Sequence, residues 1–233
     1  MRVSNRHGRD YYVSVEDKFF QQQLRKDIFQ HKNILSLMKL KPNARTVIDI
    51  GAHIGSNTIE YATWAIEVHA FEPTFESYNL LLKNIDHNIH EKMPIPKREE
   101  GQAIYTGNVH TYNVALGSTD QKTYIKKFVD NKGRNHIIEA SDEDTEEITM
   151  RTLDSYNFNF VDVIKIDAEG YELFILEGAV KTILQHKPVI QVEIQDILCE
   201  RYNLTVNDVF DWFNNNGYKK VHKDAHDYFY VPI

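Results

Sequence analysis

Apolar positions along this chain follow two periods in turn. Short runs of apolar and β-branched residues predict strands, and between them apolar residues return every three or four positions, as helices require. Residues 46–50, 67–71, 109–116, 161–166 and 189–194 are the strand-like runs. Helices are predicted over 56–65 through Ile59, Ala62 and Ile66, and from a Thr74 cap to about 84 through Tyr78, Leu81, Leu82 and Ile85. Another follows residue 172 through Leu173, Leu176, Val180, Ile183 and Leu184. A last one runs from the Thr205–Asp208 capping box through Val209, Phe210 and Phe213 to Asn216 and Gly217. Ahead of the first strand, Ser14 to Asp17 resembles a capping box. Phe20, Leu24, Ile28, Leu35 and Met38 then continue at helical spacing, which predicts one or two helices. Residues 1–13 are compatible with a loose arm or a short edge strand.

Two stretches break the alternation. Residues 86–108 carry Pro94, Pro96, Gly101 and Gly107 and no period, so a long surface loop is expected. Residues 121–129 and 147–153 read as an antiparallel pair outside the core, with a solvated acidic run at 139–147 between them. The chain ends in a predicted hairpin of 218–222 with 228–231. Strands alternating with helices predict a Rossmann-like α/β fold with a mostly parallel sheet and helices on both faces, whose ligand sits at the carboxyl ends of the strands. We expect one domain over 1–233: a leading arm and helical segment at 1–44, then a core with insertions at about 86–108 and 118–152.

Composition narrows the function classes. With 42% hydrophobic and 26% charged residues in 233, the chain has a globular composition, and no run reaches the ~18 apolar residues of a membrane helix. The charged first twenty residues are unlike a secretory signal, and Cys199 is the single cysteine, so a cytoplasmic location is expected. A net charge of −7 offers no electrostatic footprint for nucleic acid. Oligomeric state is not legible.

The chemistry concentrates at the ends of the predicted strands. In 46–57 a buried strand runs into a turn with Gly51 and Gly55, where the absence of Cβ lets backbone bend sharply and lie close to a ligand. Asp49 sits at that strand's end. A dinucleotide fingerprint would need glycine where His53 and Ser56 stand, and the Gly-Lys-Ser/Thr of a phosphate loop is missing. Glu72 ends the second strand, where an acid can grip a ribose hydroxyl pair. Asn113 ends the third, either facing the ligand or completing a turn. Asp167, Glu169 and Glu172 follow the fourth strand, and Glu193 ends the fifth. Acids so gathered must titrate, pair or bind something.

Asp49-x-Gly51-x-x-x-Gly55, Phe71-Glu72-Pro73, Asn113-Val114-Ala115-Leu116-Gly117, Thr152-Leu153-Asp154 and Lys165-Ile166-Asp167-Ala168-Glu169-Gly170-Tyr171-Glu172 together resemble the FkbM family of S-adenosylmethionine (SAM) dependent methyltransferases over about residues 45–195. The resemblance implies a class I methyltransferase fold, seven-stranded with a reversed final hairpin, and O-methylation of a hydroxyl, often on a sugar or glycan. It implies SAM on Asp49, Gly51, His53, Gly55, Asn57, Glu72, Asn113 and Asp167. Asp167 or Glu169 is then the expected general base, and Glu172 and Glu193 are expected to meet the acceptor. Asp167, Glu169 and Glu193 are also hard oxygen ligands suited to Mg²⁺, but their spacing does not demand a metal, and none is assigned. Competing readings are a non-catalytic glycan- or partner-binding module on the same fold, a methyltransferase of a non-sugar metabolite, and a nucleotide-dependent oxidoreductase, which His53 and Ser56 disfavour.

Overall fold

A computed structural model describes residues 1–5, 9–26, 31–90, 105–106 and 108–233. Strands β1 (Arg2–Ser4) and β2 (Asp10–Tyr12) pair as a small antiparallel ribbon. The leading segment then forms two helices, α1 (Lys18–Lys26) and α2 (His31–Leu40). Asp17 rather than Ser14 caps α1, its Oδ1 accepting the Phe20 amide at 2.9 Å. Ile28 lies outside the described residues.

From here strand and helix alternate: β3 (Thr46–Ile50), α3 (Ser56–Tyr61), β4 (Glu67–Phe71), α4 (Phe75–Ile85), β5 (Tyr105–Thr106) and β6 (Val109–Tyr112). Helix α3 stops short of the predicted 65, and Ile66 is exposed. Of the loop expected at 86–108, residues 91–104 and 107 lie outside the described residues, while Asp86–His90 prolongs α4 as a π turn.

The predicted strand at 109–116 is two strands. After β6 the chain leaves the main sheet, and β7 (Ala115–Leu116) pairs with a second sheet made by β8 (Gln121–Lys126), β9 (His136–Ile138) and β10 (Thr145–Arg151). Asn113 marks the departure: its amide nitrogen donates to the carbonyls of Glu72 and Pro73, just past the end of β4. The core resumes with β11 (Val163–Ile166), α5 (Glu172–Glu177), α6 (Val180–His186) and β12 (Val189–Glu193). It closes with α7 (Asp196–Cys199), α8 (Val206–Asn215) and the hairpin β13 (Tyr218–Asp224) and β14 (Asp227–Pro232). The expected helix after residue 172 is divided at Gly178, and Leu184 points outward.

The main sheet runs β13-β14-β12-β11-β3-β4-β6-β5. Strands β12, β11, β3, β4 and β6 are parallel, the terminal hairpin joins antiparallel, and the two-residue β5 adds an eighth strand to the expected seven. Every residue of β3 is buried. Val47 faces the core layer of α1 to α4 with Phe20, Leu37, Ile59 and Leu81, while Ile48 and Ile50 face that of α5 to α8 with Leu173, Leu176, Ile183 and Phe213. Sequence order runs outward from β3 through β4 to β6, then returns to β11 on its other side. The carboxyl ends of β3 and β11 are therefore the switch point at which a parallel sheet opens a crevice. No helix among the described residues is long and apolar enough to cross a membrane.

Candidate active site

The turn after β3 is shaped by contact between protein segments. Gly51 has φ +75°, and a Cβ there would stand 1.8 Å from the carbonyl oxygen of Asp167. Its amide and that of Ala52 both donate to the Phe71 carbonyl at 3.0 Å, which pins the turn to the end of β4. Gly55 precedes α3, and a side chain there would reach within 2.5 Å of Leu81 on α4. Its missing Cβ lets two helices pack, and it does not border the crevice. The close approach is thus to protein alone at Gly55, and to protein as well as to the cavity at Gly51.

Asp49 also turns away from the crevice. It is fully buried, its Oδ2 accepts the Thr58 hydroxyl at 2.6 Å, and its Oδ1 lies 3.4 Å from Lys165 Nζ. Lys165 stands opposite Asp49 in the β3–β11 register, 3.4 Å from Asp167 Oδ2, and donates to the Gly51 carbonyl at 3.0 Å. Burial alone would lower its pKa, but Asp167, Asp49 and Asp227 outweigh that and raise it, so the ammonium stays charged. A buried cation thus ties the turn after β3 to the start of the acidic segment.

A cavity of about 290 Å³ opens beside this knot. It is lined by Gly51, His53 and Asn57 from the turn, Glu72 from the end of β4, Val114 and Leu116, and Asp167, Glu169 and Glu193. Phe19 and Phe20 of α1, and the segment 131–137 that leads into β9, join the lining, Arg134 excepted. Lys132 secures that segment, its Nζ 2.7 Å from Glu76 of α4 and its amide on Asp17 Oδ2.

Glu72 is buried and already accepts three hydrogen bonds, from the His53 amide (2.9 Å), the Thr74 amide (3.0 Å) and the Thr74 hydroxyl (2.6 Å). Burial raises its pKa against those bonds. An ionised carboxylate has about four acceptor positions, so one remains rather than the pair expected for a ribose diol. His53, at φ +52°, packs edge-on to Phe20, and burial lowers its pKa to about 4, leaving the ring neutral.

The acids divide. Glu172 is buried at the start of α5, its Oε1 accepting the Ala168 and Gly170 amides, and it does not reach the cavity. Burial pushes its pKa up to about 7. Asp167, Glu169 and Glu193 do come together. Burial and then Asp167 push Glu169 up to about 7, against the opposing Arg201, whose Nη1 is 3.2 Å from Glu169 Oε2. Glu193, bonded by Gln195 Nε2, is pushed up to about 9 by burial and by Asp167 and Glu169.

Asn113 holds backbone at the strand end and does not border the cavity. Sequence reasoning missed Lys165, Arg201, Phe19 and the 131–137 segment. Lys165 did leave a signal, a lone cation inside an apolar strand two residues before an acid. The segment left none, because its approach depends on a second sheet.

The sequence profile of the FkbM methyltransferase domain matches residues 49–220. No curated protein matches the sequence. Among solved structures, the FkbM methyltransferase of Methylobacillus flagellatus is similar at 17% identity and a TM-score of 0.54, over 81% of this chain and 43% of that chain. This chain therefore spans less than half the length of that relative. The magnesium protoporphyrin IX methyltransferase of Synechocystis, solved with bound SAM, is similar at 10% identity and a TM-score of 0.56, over 95% of this chain and 88% of that one. These likenesses are of fold, and the profile match covers most of the sequence. The chain belongs to the FkbM family of SAM-dependent methyltransferases.

Proposed function

We propose that this chain methylates a hydroxyl oxygen, and that the hydroxyl belongs to a sugar or glycan. The observation that carries the reading is Glu169, pushed up to about 7 by burial and by Asp167 and lining the same cavity as the glycine turn. A hydroxyl is a poor nucleophile at neutral pH, and a carboxylate of that basicity suits removal of its proton.

The residues fit the family cofactor. Gly51 leaves backbone bare at the cavity, Glu72 keeps one acceptor position for a ribose hydroxyl, and Phe71, Val114 and Leu116 offer apolar surface. Gly51, His53, Asn57 and Glu72 would hold SAM, with Asp167 at its inner end. SAM supplies an electrophilic methyl group whose sulfonium charge is lost as the new bond forms. Alignment then gives most of the acceleration, since fixing both reactants can contribute about 7–11 kcal/mol. Asp167, held by Lys165, sets the acidic field that keeps Glu169 basic. Glu193, protonated at neutral pH, donates a hydrogen bond to the acceptor. Of the two acids expected to meet the acceptor, Glu193 alone lines the cavity, since Glu172 is turned inward.

Arg201 favours a second reading in which Glu169 is structural, because it also donates to the Glu169 carbonyl at 3.0 Å. A radiolabelled-methyl transfer screen from SAM to free sugars, nucleotide sugars and polysaccharide fragments tests the acceptor. Label on a sugar oxygen is expected, and label only on nitrogen or on non-sugar metabolites overturns the proposal. With an acceptor in hand, kcat/KM should rise to a plateau with a midpoint near 7. Glu169→Gln should lower kcat by about 10²–10⁴-fold. A variant with near-normal turnover and an unchanged profile assigns Glu169 to structure.

A further inference from the structure

The opposite end of the sheet carries a second group of ligating side chains. Glu67 opens β4 and His69 follows two residues later, so both side chains leave the same face of the strand. β6 runs parallel beside β4 with His110 directly opposite His69, which brings a second imidazole to that face. Glu67 Oε1 lies 2.8 Å from His69 Nε2 and 3.1 Å from His110 Nε2, and the three ligand atoms lie within 4.8 Å of one another. The two rings are stacked at 4.6 Å.

We propose that Glu67, His69 and His110 bind a divalent cation of the zinc class, with solvent completing its coordination. Two imidazole nitrogens and one carboxylate oxygen are the donors that borderline divalent ions prefer, whereas Mg²⁺ and Ca²⁺ take oxygen. Donors bound at ~2.0–2.1 Å to one ion stand roughly 2.9–3.4 Å apart for angles between square and tetrahedral. Both edges at Glu67 lie close to that range without an ion.

The surroundings suit a site. His69 Nδ1 is 2.9 Å from the Tyr112 hydroxyl, the kind of outer hydrogen bond that fixes a ligating imidazole. Exposure is graded from 7% for the His69 side chain through 18% for His110 to 40% for Glu67, which leaves one side open for entry and for water. On binding, each neutral ring carries its proton on Nδ1 instead of Nε2, so that Nε2 is free for the ion and His69 Nδ1–H donates to the Tyr112 hydroxyl, and the rings tip toward the ion about χ2, a soft torsion. The ion would tie β4 to β6 toward their amino ends, three to five residues or roughly 10–16 Å along the strand from Glu72. It would stabilise the sheet and take no part in methyl transfer.

The test is calorimetric titration of chelator-stripped full-length protein with zinc chloride, alongside thermal melts and Co²⁺ absorption spectra. Uptake of one ion per chain at micromolar affinity or tighter is expected, with a raised Tm and a d–d band from Co²⁺. Glu67→Gln and His110→Gln should each weaken uptake by at least about tenfold, because each removes one of three protein ligands. Glu67 is the exposed member, so Glu67→Gln should fold even if the other variant does not. SAM affinity should stay within about twofold in both, the sites being well separated. Absence of uptake by the wild type, or uptake undiminished in Glu67→Gln, overturns the proposal and leaves a hydrogen-bonded cluster.

Discussion

Gly51 and Gly217 share a backbone conformation and differ in their surroundings, which separates two costs of replacing them. Both have φ +75°; a Cβ at Gly51 would lie 1.8 Å from the Asp167 carbonyl oxygen, while nothing lies within 4 Å of one at Gly217. Alanine at Gly217 meets only the left-handed backbone penalty, about 1–2 kcal/mol, and should lower Tm by roughly 2–8 °C in a chain of this size. At Gly51 the same penalty applies, and the ends of β3 and β11 must also part by more than about 1 Å to relieve the overlap. Two bonds span that gap, Asp167 N to the Ile50 carbonyl (3.2 Å) and Lys165 Nζ to the Gly51 carbonyl (3.0 Å). Losing one neutral and one charge-assisted bond brings the total to about 3–6.5 kcal/mol. The corresponding fall in Tm is roughly 6–26 °C. Circular-dichroism melts of both variants measure the difference, and calorimetric titration with SAM reports on the cavity that Gly51 borders. A Gly51→Ala protein that melts within a couple of degrees of Gly217→Ala would refute the inference that this contact sets the distance between the strand ends. Undiminished SAM affinity in a clearly destabilised variant would detach the turn from the cofactor.

Glu72→Ala should weaken SAM binding by more than about tenfold, because it removes a charged acceptor and orphans the amides of His53 and Thr74; unchanged affinity in calorimetry would place the ribose elsewhere. Burial raises Glu193 to about 9, so folding favours its neutral form. Its contribution to stability is complete below the ordinary glutamate range near ~4.3 and is lost as pH rises through 9. Glu193→Gln should therefore show a smaller fall in Tm than wild type across that window, and an identical fall would mean that Glu193 is not the group responsible.

What could be read from the sequence was what neighbouring residues decide. The strand, turn and helix around Gly51 follow from periodicity over a dozen positions, and Glu72, Asp167, Glu169 and Glu193 lie at strand ends that the same periodicity locates. Roles set by distant partners were not legible. Asp49 and Glu172 look like ligand acids in sequence, yet one is occupied by Thr58 and Lys165 and the other by the amides of Ala168 and Gly170. Gly55 answers to Leu81 on another helix. The run 109–116 is uniformly strand-like, and its division comes from Asn113 holding the Glu72 and Pro73 carbonyls while β10 draws β7 into the second sheet. The place of 131–137 at the cavity depends on Lys132 reaching Glu76 and Asp17, both far away in the chain.

Lys165 also bears on which acid the proposed reaction would use as base. Bringing Asp49, Asp167, Glu169 and Glu193 to one end of a sheet concentrates negative charge in a poorly hydrated place, where each carboxylate raises the cost of ionising the next. A single ammonium lies 3.4 Å from both Asp49 and Asp167 and offsets the charge of that inner pair. Arg201 offsets part of the charge of Glu169, on the outer side. The outer acids are left with burial first and the neighbouring carboxylates second, and both raise their pKa values, to about 7 at Glu169 and about 9 at Glu193. A base that must take a proton at neutral pH and then release it needs the first of these values, while the second belongs to a group that keeps its proton. In the proposed reaction the two expected catalytic acids therefore separate: Asp167 is engaged by Lys165 at 3.4 Å, and Glu169 is the acid offered to the hydroxyl proton.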